Sequence, residues 1–185
     1  MAAHALVDWG VASLALSGET ESGDLSIVKS TARGAVAVVE RHADESLLQL
    51  VQLCHRALVG TRGVVMNLAF FDRADRSLTW LGVGNVEGLL AYADPAARPA
   101  RVTLVTPGGI VGSELPRLQA QVIALAPGDT LAFASDGIKS AFSDELRSDV
   151  TPQQLADQIL ARYGKGTDDA LVLVARYLGG GGADA

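Results

Sequence analysis

Aromatic residues are scarce in this chain. Phe, Trp and Tyr make up 5% of its 185 positions, so a core must be built mainly from small aliphatic side chains. Cysteine is almost absent: the single Cys54 excludes an intrachain disulfide, and its apolar-periodic surroundings read as those of a buried, inert thiol. Positive charge is in deficit as well. With 15 Lys and Arg against 21 Asp and Glu, the formal net charge is −6, which argues against a nucleic-acid surface and the basic stripe it needs. No apolar run approaches the length that spans a bilayer. The start, Met1-Ala2-Ala3-His4-Ala5, shows no basic stretch followed by an apolar one, so no secretory signal is visible. The chain is therefore read as cytoplasmic, with no membrane partner.

What is present is a 49% hydrophobic chain of 19.2 kDa, the size of one domain with a genuine core. Most of it reads as short strands. Leu6 to Ala15 and Asp24 to Lys29 look like a first pair around a Gly18-to-Gly23 loop, and Gly34 to Val39 fits a strand covered on both faces. From Glu45 to Leu58 the apolar residues recur three and four apart, which predicts an amphipathic helix capped by Asp44 or Ser46, with Gly60 just beyond its end. Strands are expected again at Val64 to Phe71, Ser77 to Val83, Val86 to Tyr92, Arg101 to Val105, Leu118 to Leu125 and Thr130 to Ala134. A second helix over Pro152 to Tyr163 begins at Thr151 with Pro in its first position and stops at Gly164; the strand Ala170 to Tyr177 follows. Strands outnumber helices and alternate poorly with them. The expected class is α+β, with two packed, mostly antiparallel β-sheets flanked by helices. One domain is expected over residues 1–178, with a disordered Gly-rich tail at 179–185.

The chemistry is carried by acidic tripeptides at the edges of apolar runs: Ser22-Gly23-Asp24, Ser135-Asp136-Gly137 and Thr167-Asp168-Asp169. Asp136 closes the run Thr130 to Ala134, and Asp168-Asp169 opens the run Ala170 to Val174. Carboxylates at strand ends sit on rigid elements and can converge on one pole of a sheet. Hard oxygen ligands of this kind suit Mg²⁺ or Mn²⁺, and two such ions sharing a water form a hydrolytic centre for phosphate esters.

In order along the chain stand Gly18-Glu19-Thr20-Glu21-Ser22-Gly23-Asp24, Gly82-Val83-Gly84-Asn85, Gly109-Ile110-Val111-Gly112, Ser135-Asp136-Gly137-Ile138 and Thr167-Asp168-Asp169-Ala170. From Trp9 to Tyr177 this ordered set resembles the bacterial PPM-type, metal-dependent Ser/Thr protein phosphatases, and within them the compact RsbX-like branch of the RsbU/SpoIIE group. The resemblance implies a PPM phosphatase-like α-β-β-α sandwich over residues 1–178, with Mn²⁺ or Mg²⁺ polarising a phosphate and lowering the pKa of a bridging water. Position by position, Asp136 and Asp169 match the family's metal-binding aspartates. Asp168 is a further ligand or an acceptor behind one, and Asp24 matches an acidic residue that reaches the metal pole directly or through water. The implied substrates are phosphoserine or phosphothreonine on STAS-domain proteins of a stress-signalling complex, the stressosome. Specificity would come from surface around the pole, with Gly108 to Pro116 and the Pro95-to-Pro99 loop as candidates.

The chain departs from the family pattern at one place. There the family carries Asp-Gly-x-Gly-His-Gly, whose aspartate bridges both ions. Here Ala35 to Val39 runs into Glu40-Arg41-His42-Ala43-Asp44, so roughly twenty residues are missing, the length of a helix of ~30 Å. Glu40 could replace the bridging Asp, but Arg41 then stands where Gly is needed, and the register favours Val39 to His42 as the end of the lost helix. Two readings stay open. One is an active phosphatase with two ions, whose segment is absent only from the chain as written; it is favoured because a deletion would uncover an apolar sheet face. The other is a pseudophosphatase, a binding module with an incomplete metal centre. His42 and His55 lack partners at ligand spacing and read as surface or helix-face residues, and Arg33 and Arg62 as solvated arginines.

Overall fold

Alternating apolar patterns and two amphipathic stretches become a layered arrangement in the computed structural model, which describes residues 5–15, 29–30, 34–36, 46–97, 99–146 and 149–179. The strands are β1 (Val7–Leu14), β2 (Lys29–Ser30), β3 (Gly34–Val36), β4 (Met66–Asp72), β5 (Ser77–Val83), β6 (Glu87–Ala91), β7 (Arg101–Leu104), β8 (Gln121–Ala124), β9 (Thr130–Ala134) and β10 (Ala170–Tyr177). Helix α1 (Leu47–Leu58) lies between β3 and β4, and α2 (Pro152–Tyr163) precedes β10 after a 3₁₀ turn at Ser140–Glu145. One sheet has the order β1-β10-β9-β6-β7 and the other β2-β3-β4-β5-β8. Every pairing is antiparallel. This is the expected α+β class.

The first strand corrects the sequence reading. Of the expected partner, Asp24 to Val28 lies outside the described residues; among the described residues β1 pairs with β10. It takes the edge of the first sheet against β10, with Val7 opposite Tyr177 and Leu14 opposite Ala170, whereas β2 pairs with β3 in the second sheet. The long register along β10 explains the choice, because it sets residues of each face of β1 against a core. Val7 and Val11 pack on the core between the sheets, and Ala12 joins the core under α2. The strand expected from Leu118 is shorter than the apolar run, since Leu118 and Ala120 pack against the α1 cluster as loop residues.

Between the sheets lie Phe71, Leu78, Trp80, Leu90, Leu131 and Tyr177, all buried. Phe71 and Tyr177 stack there with ring centroids 6.5 Å apart. On the outer face of the first sheet, Leu155 and Ile159 of α2 rest on Ala132, Ala134, Val172 and Val174, small residues that let the helix approach closely. On the outer face of the second sheet, Leu47, Leu50 and Val51 of α1 cover Leu68, Leu81 and Val83. Both helices start with a capping box. Ser46 and Gln49 close the first at 2.9 and 3.3 Å, and Thr151 and Gln154 the second at 3.1 and 3.2 Å. Each such cap contributes about 1 kcal/mol. Cys54 is half-buried rather than buried, and its partial burial pushes the thiol above its ordinary pKa. Among the described residues no helix is long and apolar enough to cross a membrane. The tail from Gly180 onward lies outside the described residues.

Candidate metal centre

Two adjacent central strands bring the acidic tripeptides together. β9 and β10 pair with Ala134 opposite Val172. Just past the end of β9, Ser135 continues the pairing by donating its N–H to the Leu171 carbonyl at 3.0 Å, while its Oγ accepts the Leu171 N–H at 2.9 Å. The chain then turns, with Ile138 N–H bonded to the Ser135 carbonyl at 3.0 Å, and Asp136-Gly137 lies against the start of β10. Gly137 is required there for space. A Cβ on it would lie 2.0 Å from the Asp169 carbonyl oxygen and 2.9 Å from Ala170 Cα. Asp136 and Asp168-Asp169 therefore share one end of the first sheet, as the sequence pattern anticipated.

Asp136 and Asp168 are exposed and Asp169 half-buried. The Asp136 Oδ2 accepts a hydrogen bond from Asn85 Nδ2 at 2.6 Å, and Asp168 Oδ1 accepts the Asp169 N–H at 2.9 Å. Lys165, between α2 and β10, donates its Nζ to the Asp136 carbonyl and its backbone N–H to the Gly137 carbonyl at 2.8 Å. Neither Asn85 nor Lys165 was given a role from sequence. Asn85 stood in a recognised motif, but its contact with a residue 51 positions away left no local signal.

The donor set fits a hard divalent cation in kind, since it consists of carboxylate oxygens on neighbouring strand ends with open exposure. It does not fit in number. Among the described residues no three His, Cys, Asp or Glu side chains gather closely enough to hold an ion. Asp24, Glu40, His42 and Arg33 lie outside the described residues. His55 takes no part at this pole. Its Nδ1 accepts the Gly112 N–H at 3.0 Å and fastens α1 to the Gly108–Pro116 segment. That segment reaches the neighbourhood of Asn85, because the Gly84 N–H donates to the Pro107 carbonyl at 2.9 Å. Arg62 is exposed.

Residues 24–178 match the family model of stage II sporulation protein E, SpoIIE. No curated protein matches the chain. Among solved structures, a chain from work on the bacterial stressosome, a modular system adapted to control secondary messenger signalling, superposes with a TM-score of 0.80 at 26% identity, covering 92% of this chain and 99% of that one. RsbX in complex with magnesium gives a TM-score of 0.80 at 16% identity, covering 92% of this chain and 95% of the other. The catalytic domain of the serine/threonine phosphatase PstP, with two manganese ions, gives 0.60 at 14% identity, covering 93% and 98%. The last two are likenesses of fold. With the family model spanning residues 24–178, the chain belongs to the SpoIIE family, in the RsbU/SpoIIE group of PPM-type phosphatases.

Proposed function

We propose that this chain is a cytoplasmic, metal-dependent phosphoserine/phosphothreonine protein phosphatase, one domain over residues 1–178, acting on phosphorylated STAS-domain proteins of a stressosome. The observation that carries the reading is the closure of Asp136-Gly137 onto Asp169 at the ends of β9 and β10. In this reading Asp136 and Asp169 would hold a Mn²⁺ or Mg²⁺ ion, with Asp168 bracing or joining them and Asp24 completing the pole; a second ion would require the segment missing after Val39. Such ions, when bound, supply positive charge at the phosphoryl oxygens and lower the pKa of the attacking water. The chain's part is to hold the carboxylates on rigid strand ends and to place the Lys165 ammonium at the rim of the pole. Likeness of fold to RsbX and kinship with a stressosome-derived chain support the substrate class.

A second reading, a pseudophosphatase that binds the same partners, is favoured by the incomplete donor set among the described residues. Hydrolysis of p-nitrophenyl phosphate separates the two. The phosphatase is expected to work only with Mn²⁺ or Mg²⁺, to stop in EDTA, and to lose at least about a hundredfold in Asp136→Asn, because an amide lacks the charge that holds the ion. Full activity in EDTA would sink the metal mechanism. No activity under any metal, with one weak Mn²⁺ site by calorimetry, establishes the pseudophosphatase.

A further inference from the structure

The connection from α1 into β4 and the segment after β7 are stitched into one ledge. The turn leaving α1 is closed by Thr61, whose N–H and Oγ1 both donate to the Leu58 carbonyl, at 3.0 and 2.7 Å. Val64 and Val111 exchange two backbone bonds of 2.9 Å, and the Gly112 N–H reaches His55 Nδ1 on α1 at 3.0 Å. The pieces touch closely: a Cβ on Gly63 would lie 2.4 Å from Ile110 Cγ2, and one on Gly84 2.2 Å from Val65 Cγ1. Yet Val59, Val64, Val65 and Ile110 keep 65, 39, 40 and 41% of their surface exposed. Neighbouring apolar side chains held open on a bonded backbone form a patch, and a patch of this kind marks a contact surface.

The charge around the ledge selects its partner. Residues 55–65 and 107–118 carry three arginines, Arg56, Arg62 and Arg117, all exposed, against one acid, Glu114. The chain as a whole carries −6, so this local excess runs against the charge of the molecule. Arg62 adjoins Gly63 beside Ile110, and Arg117 follows Pro116, whose Cδ would lie 2.6 Å from a Cβ on Gly109. One end of the ledge meets the acidic pole, because Val65 lies against Gly84 and the next residue, Asn85, is bonded to Asp136. We propose that this ledge docks a folded phosphoprotein through a surface on that partner with an apolar centre and an acidic rim, beside the pole. Apolar contact supplies the affinity, and the arginines fix orientation and speed encounter. The inference rests on the proposed function for the identity of the partner. It holds for an enzyme and for a pseudophosphatase alike, so its test reads binding.

The experiment measures the Kd of a phosphorylated STAS-domain protein by calorimetry in EDTA, which prevents turnover, at low and at high salt. The full chain is compared with Arg62→Glu/Arg117→Glu, with Val59→Ser/Ile110→Ser, and with Val122→Ser, an exposed valine of β8 outside the ledge. The charge-reversed pair is expected to bind about tenfold more weakly at low salt, ~1.4 kcal/mol, and to lose most of the salt dependence of the parent. The serine pair is expected to bind about tenfold more weakly at both salts and to keep that dependence. Tm near that of the parent shows each variant folded; if one pair does not fold, the other decides. Parent-like affinity in the folded ledge variants overturns the inference and leaves the proposed function standing. An equal loss in Val122→Ser would mean that the effect is not local, which also overturns it. If the parent itself does not bind the phosphorylated protein, the reading of the partner falls and takes this inference with it.

Discussion

Two aspartates after apolar runs show how the same side chain is put to opposite uses. Asp129 is buried, and both its carboxylate oxygens are occupied, by the Ala93 N–H at 2.8 Å and the Ala126 N–H at 2.9 Å, so it fastens the turn before β9. Asp136, at the other end of β9, is exposed and turned towards the pole. What keeps it there is the absence of a side chain next door. Every close neighbour of a Cβ on Gly137 would be backbone of Asp169 and Ala170, which cannot rotate aside. Gly137→Ala must therefore push the turn away from β10. The expected loss is ~2 kcal/mol, comparable to overpacking a core, which in a chain of this size lowers Tm by roughly 4–8 °C. Mn²⁺ affinity should fall with it, because the two halves of the donor set separate. Thermal melts and calorimetry on the same preparation check both; a parent-like Tm would show that the turn opens without strain.

The edge strand β1 illustrates control at the level of the element. Among the described residues β1 is an eight-residue edge strand, and an edge of that kind invites pairing with another chain. Gln153 of α2 closes part of it. Its Oε1 accepts the Val11 N–H at 3.1 Å and its Nε2 donates to the Val11 carbonyl at 2.9 Å, so one side chain mimics a neighbouring strand. Gly10 allows this approach, since a Cβ there would lie 2.2 Å from Gln153 Cα. Gln153→Ala is expected to lose about 1 kcal/mol and, more tellingly, to show concentration-dependent association by light scattering. A variant that stays monodisperse at high concentration would mean that the edge is protected by other means. None of this was legible in the sequence, whereas β5, β9, β10 and α2 were legible to the residue, because turn and cap residues bracket clean apolar patterns there. The partner of β1 was misread because pairing depends on register with a strand some 160 positions away, not on adjacency. The 3₁₀ turn Ser140–Glu145 has no periodic signature; it is held by contacts to α2, where Glu145 accepts from Arg162 at 2.8 Å and from Tyr163 at 3.0 Å. That Asp136-Gly137 lies against the start of β10 was legible because the ends of β9 and β10 were readable. Asn85 was missed as the partner of Asp136 because its bond is a property of two connections meeting.

For the whole molecule, the question is how a small layered domain selects a substrate. Asp136 and Asp168 stand exposed at the end of the first sheet, so among the described residues a peptide laid across them finds carboxylates and little enclosing wall. The net charge of −6 gives an anionic phosphopeptide no long-range attraction either. Selectivity must then come from a surface beside the pole. On the proposed reading the Gly108–Pro116 segment would serve in such a role: Val111 is bonded both ways to Val64 at 2.9 Å, the Ile110 N–H is tied to the Glu114 carbonyl at 2.8 Å, and the Ile110 side chain is exposed. A folded partner resting on that segment would be held in fixed relation to the pole through Pro107 and Gly84. Docking energy of this kind orients the phosphate as well as binding it, so it should raise kcat/KM. A folded phospho-STAS protein is therefore expected to be dephosphorylated at least tenfold more efficiently than a phosphopeptide of the same local sequence, a difference of ~1.4 kcal/mol that a few well-packed contacts can supply. Measured at equal metal and salt, equal kcat/KM values would mean that only the phosphate and its immediate flanks are read, and the stressosome assignment would lose its physical basis.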